Sequence, residues 1–197
     1  MTGNPYSEDH LNRNWFEILD EVWKYAWDTE LGTVRPRSIT DRAINASRDR
    51  DSERLIIHYL QPHFPSIPEP LNSGIDIDTF GEGWDSVWDQ LRSGKIESEV
   101  AWNSYEANLR HVLDDVDLLL DNLSSDEVII TADHGNAFGE WGLYGHPPRT
   151  PVKTVREVPW VSISATDTQG YEPSVEPNNR ETAQDEVEDR LADLGYL

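Results

Sequence analysis

Val128-Ile129-Ile130-Thr131-Ala132-Asp133-His134-Gly135 is the stretch on which the fold turns. A short apolar, β-branched run closed by a turn reads as a buried strand, here over residues 127–131. It delivers a carboxylate and an imidazole to its C-terminal end, where open α/β sheets place their ligands. Upstream, Tyr105, Leu109, Val112, Leu113, Val116, Leu119 and Leu123 recur at helical spacing and predict a long helix over 97–122. Before it, Leu55-Ile56-Ile57-His58-Tyr59-Leu60 is a second apolar run and a second expected strand. Strand, long helix, strand is the pattern of α/β packing with parallel strands. Residues 158–164 hold a third strand. The expected sheet therefore joins 55–60, 128–131 and 160–163, parallel or mixed, with helices against it.

The rest of the chain is read around that frame. Trp15, Leu19, Val22, Trp23 and Ala26 predict a helix over 8–27 with Ser7 as its N-cap. A second helix is expected over 36–50, with Pro36 in its first turn and Ile39, Ala43 and Ala46 inward. Trp84, Val87, Trp88 and Leu91 give a short helix. The prolines and glycines from Pro62 to Gly83 make a long irregular excursion. Trp15, Trp23, Trp27, Trp84 and Trp88 read as core. Residues 1–165 form one unit; 166–180 read as an exposed polar linker, and Val187, Leu191 and Leu194 mark a terminal helix in the acidic segment that follows.

Composition narrows the functions. The chain of 197 residues carries 38 acidic against 16 basic residues, a formal net charge of −22. Such a surface repels the phosphates of nucleic acid and anionic lipid alike. Lys24, Lys95 and Lys153 are the only lysines. Acid-rich and lysine-poor, the surface has the character of proteins that fold in concentrated salt, where self-repulsion is screened. Without cysteine there is neither a disulfide nor a thiolate metal site. No run is apolar and long enough to span a membrane, and residues 1–10 carry no secretion signal, so a cytoplasmic protein is expected.

Four side chains could carry chemistry. Asp133 and His134 can both ligate a divalent metal if the chain turns after the strand, and Gly135 permits that turn. His63 follows the first strand between Pro62 and Phe64. His146 lies between Gly145 and Pro147 in a glycine-rich loop. Parallel strands would gather all four on one edge of the sheet. Taken singly, each is matched by an ordinary loop histidine or a polar turn at a strand end.

Taken together, Tyr59-Leu60-Gln61-Pro62-His63-Phe64-Pro65, Thr131-Ala132-Asp133-His134-Gly135, Phe138-Gly139-Glu140, Tyr144-Gly145-His146-Pro147 and Val155-Arg156-Glu157-Val158-Pro159-Trp160 resemble the sulfatase-like branch of the alkaline phosphatase superfamily. The ending, Asp189-Arg190-Leu191-Ala192-Asp193-Leu194-Gly195-Tyr196-Leu197, is similar to the C-termini of haloarchaeal sulfatase-like proteins. The resemblance implies a partial alkaline-phosphatase-like α/β sheet flanked by helices, and hydrolysis of a small anionic sulfate or phosphate ester at a divalent metal. Asp133 and His134 then look like metal ligands, and His63 and His146 like contacts to the substrate's anionic group. A nitrogen ligand favours Mn²⁺ or Zn²⁺ over Ca²⁺ or Mg²⁺. The departures are as telling. The acidic pair and the nucleophile that the family carries on its first strand have no counterpart here, Asn136 stands for the usual acid after Asp-His-Gly, and Trp141 for the usual histidine. The resemblance thus implies the C-terminal part of such an enzyme, lacking its attacking group, which an N-terminal segment or a second chain would supply. A remnant that binds a metal or an anion without catalysis, and an acidic α/β binding module, are the other readings.

Overall fold

Pro36 fixes the first turn of the helix that organises the molecule. Its ring pre-sets the helical φ where an N–H would have no partner. In the computed structural model, which describes residues 1–50, 52–71 and 86–175, this helix (α3) spans Pro36–Asp49 and buries Ile39, Ala43 and Ile44. It packs against a second long helix (α5), Ser98–Leu120. Ala43 and Ile44 meet Leu119, Leu123 and Ala165 in one core cluster, onto which Leu55, Ile57 and Val128 pack. Trp84 and the expected terminal helix at Val187, Leu191 and Leu194 lie outside the described residues.

The remaining elements are short. In chain order they are α1 (Ser7–His10), α2 (Trp23–Ala26), β1 (Trp27–Asp28), β2 (Thr33–Val34), α4 (Val87–Arg92), β3 (Ser125–Thr131), β4 (Ala137–Phe138), β5 (Tyr144–Gly145), α6 (Lys153–Arg156) and β6 (Trp160–Ala165). The chain is thus mixed helix and strand, and the three small sheets among the described residues, β1–β2, β3–β6 and β4–β5, are all antiparallel pairs.

Several sequence expectations change here. The helix over 8–27 is absent. Asn12 accepts a bond from the backbone N–H of Asn14, offering the chain a turn in place of a helix, and Thr2 donates its N–H to the carbonyl of Asp20 and pairs in parallel with Glu21. Ser7 opens α1 but caps nothing; its hydroxyl donates to Glu21. Trp15, read as core, is 69 % exposed. The run 55–60 is extended but joins no named strand. It makes a single parallel bridge, His58 to Thr2, with His58 N–H donating to Met1 O and Gly3 N–H to His58 O. Finally, β3 and β6 run antiparallel, with Thr131 opposite Trp160 and Val128 opposite Ile163. A parallel pair needs a crossover of a dozen residues or more, usually a helix. Between Thr131 and Trp160 the only α-helix is the single turn of α6, so the chain returns antiparallel. β3 is accordingly half-buried rather than buried, and Trp160 in β6 is 70 % exposed.

The buried face of α5 is more polar than its leucines suggest: Ser104, Asn108 and Asp115 lie in it beside Ala101, Val112 and Leu119. Asp115 pairs with Arg37 of α3. Residues 166–175 are mostly exposed, as a linker would be, yet they are pinned. Arg48 forks onto Asp167 and donates to Tyr171 O, and buried Asp41 accepts four bonds from residues 171–175.

Candidate functional site

His63 sits just past the 55–60 run, and α5 holds it in place. Asn108, fully buried, donates its amide to His63 O at 3.1 Å and accepts from Ile67 N–H, while Ser104 donates to Glu69 O. Phe64 follows, 2 % exposed, against the rings of Trp88 and Tyr105. Phe138 of β4 joins the same aromatic group, 5.0 Å from Trp88 and 5.4 Å from Tyr105. One aromatic cluster therefore fastens the His63 loop, α4, α5 and the β4–β5 hairpin together. That hairpin ends at Gly145, whose φ of 69° lies in the left-handed region and whose Cα faces the Trp88 ring. His146 leaves from there.

Asp133 and His134 come off the end of β3. Gly135 then passes against α6: its N–H donates to Val155 O at 2.9 Å, and a Cβ at this position would lie 2.0 Å from Thr154 O. The sequence suggests Gly135 for its freedom to turn; the structure requires it for close backbone approach.

The four residues singled out by sequence come together. The His134 and His146 rings lie 3.9 Å apart, those of His63 and His146 6.1 Å, and His134 Nε2 is 3.6 Å from Asp133 Oδ2. The charge of Asp133 is felt at His58, His63, Tyr105 and His146. Asn136 ties the hairpin to the helix: its amide donates to Tyr105 OH and its Oδ1 accepts from His146 Nδ1 at 2.8 Å.

The tautomers follow from these acceptors. A carbonyl can only accept, so His134 Nδ1 donates to Gly135 O and His63 Nδ1 to Phe64 O. With the amide of Asn136 oriented toward Tyr105, His146 likewise donates from Nδ1. In each ring the Nε2 lone pair is left over, the arrangement found in metal-ligating histidines. Asp133 Oδ2 and His134 Nε2 are thus suitable donors for a divalent ion. They supply two ligands, and no group of three or more His, Cys, Asp or Glu placed to hold a metal occurs among the described residues.

His63 and His146 are neutral at pH 7. Burial, with the nearby His134 and His63 adding to it, lowers His146 from 6.5 to about 4, and burial lowers His63 as well. Neutral His146 is favoured by the fold. Its contribution to stability is therefore complete above pH 6.5 and is lost as the pH falls toward 4. A chemical-shift titration of His146 is expected to show a midpoint near 4, and His134→Ala should move it back toward 6.5 by removing the ring beside it. A midpoint near 6.5 in the unaltered protein would contradict this packing.

Sequence reasoning passes over Asn108 and Tyr105, which position the site, because both sit at helical spacing among core residues. Asn136 stands out only as a departure from a pattern. Comparison with models of protein families, with curated proteins and with solved structures finds no match.

Proposed function

We propose that this chain is the C-terminal portion of a sulfatase-like, metal-dependent hydrolase of sulfate or phosphate esters, with a partial alkaline-phosphatase-like sheet, and that it does not turn over substrate by itself. The observation that carries the reading is the convergence of His63, Asp133, His134 and His146 from three separate stretches of sequence, with His146 stacked 3.9 Å from His134. A bound divalent metal would supply Lewis acidity toward the ester oxygens. Asp133 and His134 would hold it, with Gly135 O fixing the His134 tautomer. An ester anion settling beside His146 would replace the repulsion of neighbouring imidazoles by attraction and raise its pKa. Protonated, His146 gains an Nε2–H that can donate to the departing oxygen while Asn136 holds the ring from behind. Nothing in this set attacks the ester, and charge stabilisation without a positioned nucleophile leaves only the reaction of water.

Phenylphosphonate with Mn²⁺, added in concentrated KCl, is expected to move the His63 and His146 resonances of the unaltered protein and to leave them unmoved in Asp133→Ala. Aryl sulfates and aryl phosphates should show no turnover above background under the same conditions. Unmoved resonances in the unaltered protein would remove the hydrolase reading. Metal-dependent turnover abolished by both His63→Ala and Asp133→Ala would overturn the claim that the chain is inactive alone. The neutral state of His146 favours, as second reading, a non-catalytic metal- or anion-binding remnant. The two part on complementation: a supplied strand bearing the acidic pair and nucleophile restores hydrolysis only under the first.

A further inference from the structure

Beside Asp133 and His134 opens a cavity of about 260 Å³, walled by Pro147, Arg149, Thr150, Val155 and Arg156. In a chain of net charge −22, Arg35, Arg37, Arg42, Arg48, Arg92 and Arg110 each pair with a carboxylate, whereas among the described residues Arg50, Arg54 and the two arginines of this wall do not. The side chains of Arg149 and Arg156 make no ion pair or hydrogen bond among the described residues, although acidic residues outnumber basic ones more than two to one. Both are held on stiff backbone. Arg149 has φ 60°, a left-handed conformation that a long side chain rarely adopts, between Pro148 and Pro151. Unusual backbone of this kind persists where its surroundings impose it, and it clusters at ligand sites. Arg156 ends α6, which the Gly135–Val155 bond and the contact of Gly135 with Thr154 O lock to the Asp133 turn.

We infer that this cavity is an anion subsite in which Arg149 and Arg156 bind a carboxylate or phosphate on the alcohol side of the ester, so that the substrate is doubly anionic. The substrate class rests on the hydrolase reading above; the subsite itself does not. A guanidinium meets a carboxylate or phosphate with two parallel N–H donors, a geometry that fixes orientation as well as charge. Contact pairs of that kind outlast the concentrated salt this surface calls for, which shortens long-range attraction to a few ångströms. A cavity of this volume accommodates one small ring and its charged substituent.

The test compares phenylphosphonate, 4-carboxyphenylphosphonate and benzoate by calorimetry in concentrated KCl with Mn²⁺, using the full chain. The doubly charged ligand should bind about five- to tenfold more tightly than phenylphosphonate. Arg149→Gln with Arg156→Gln should erase that gain and leave phenylphosphonate unchanged; matching circular dichroism shows that the variants fold. If phenylphosphonate fails to bind while benzoate binds and depends on the two arginines, the subsite stands and the hydrolase reading falls. Equal affinity of the two phosphonates, a gain that survives in the double variant, or benzoate and 4-carboxyphenylphosphonate both failing to bind overturns the subsite.

Discussion

Gly135→Ala should cost about 3 kcal/mol of stability, the sum of overpacking against backbone and one lost hydrogen bond. The new Cβ would stand 2.0 Å from Thr154 O and 3.1 Å from Thr154 C. These are main-chain atoms, so no side chain can rotate aside. α6 would have to withdraw, breaking the Gly135–Val155 bond and lifting the buried Val155 side chain from its seat. Arg156 would move with it, and the turn that presents Asp133 and His134 would lose its backing. Denaturant unfolding in concentrated KCl measures the cost, and the His134 resonance reports the turn. Gly94→Ala is the control: its φ of 72° is left-handed but its Cβ would meet nothing within 4 Å, so only backbone strain of about 1 kcal/mol is expected. An unfolding midpoint for Gly135→Ala equal to that of the unaltered protein would show that α6 is not braced as described.

The two long helices and β3 are legible in the sequence because their signals are local. A 3.6-residue apolar period over 36–50 and 97–122 yields α3 and α5 to within two residues at each end. The apolar run before Ala132 yields β3. The helix over 8–27 fails for a physical reason: residues 20 and 21 are claimed by the backbone of Thr2, a contact between segments distant in the chain, and Asn12 bonds to its own neighbours. Periodicity carries neither fact. Strand direction stays open in the sequence, as parallel or mixed, since the 128–131 run reads the same whether its partner is parallel or antiparallel. The four site residues are visible from their positions after strand ends. The residues that hold them, Asn108 inside α5 and Asn136 on the hairpin, are not: a polar residue at core spacing reads as a lapse in an apolar face until its partner, here His63 O or Tyr105 OH, is placed. Arg149 and Arg156 are likewise invisible until the fold sets both on the wall of one cavity beside Asp133 and His134.

Asp41→Ala should have an effect of similar size on a different part of the molecule. Asp41 has no exposed surface, and its carboxylate is the anchor for residues 171–175. Oδ1 accepts from Tyr171 OH at 2.9 Å; Oδ2 accepts from Ser174 N, Ser174 Oγ and Val175 N at 2.9, 2.9 and 3.1 Å. Hydrogen bonds to an ionised group are worth about 1.5–3 kcal/mol each, but the freed donors can return to water because Ser174 is exposed and Tyr171 and Val175 are only half-buried. A net loss of about 3 kcal/mol is expected, concentrated in the segment. Asn in place of Asp41 should cost less, because its Oδ1 can take the three bonds now made by Oδ2 while its NH₂ donates to Tyr171 OH, leaving only the charge lost. Tyr171→Phe removes one bond and should cost about 1 kcal/mol. In every variant Arg48 still forks onto Asp167 and donates to Tyr171 O, and Tyr171 N–H still donates to Asn122, so the chain stays tied up to Tyr171 while the Ser174 and Val175 amides lose their acceptor. Hydrogen exchange distinguishes this local release from general loosening: the Ser174 and Val175 amides should lose protection in Asp41→Ala while the amides of α3 and α5 keep theirs. Protection at Ser174 and Val175 that survives the substitution would mean that something other than Asp41 holds the segment down.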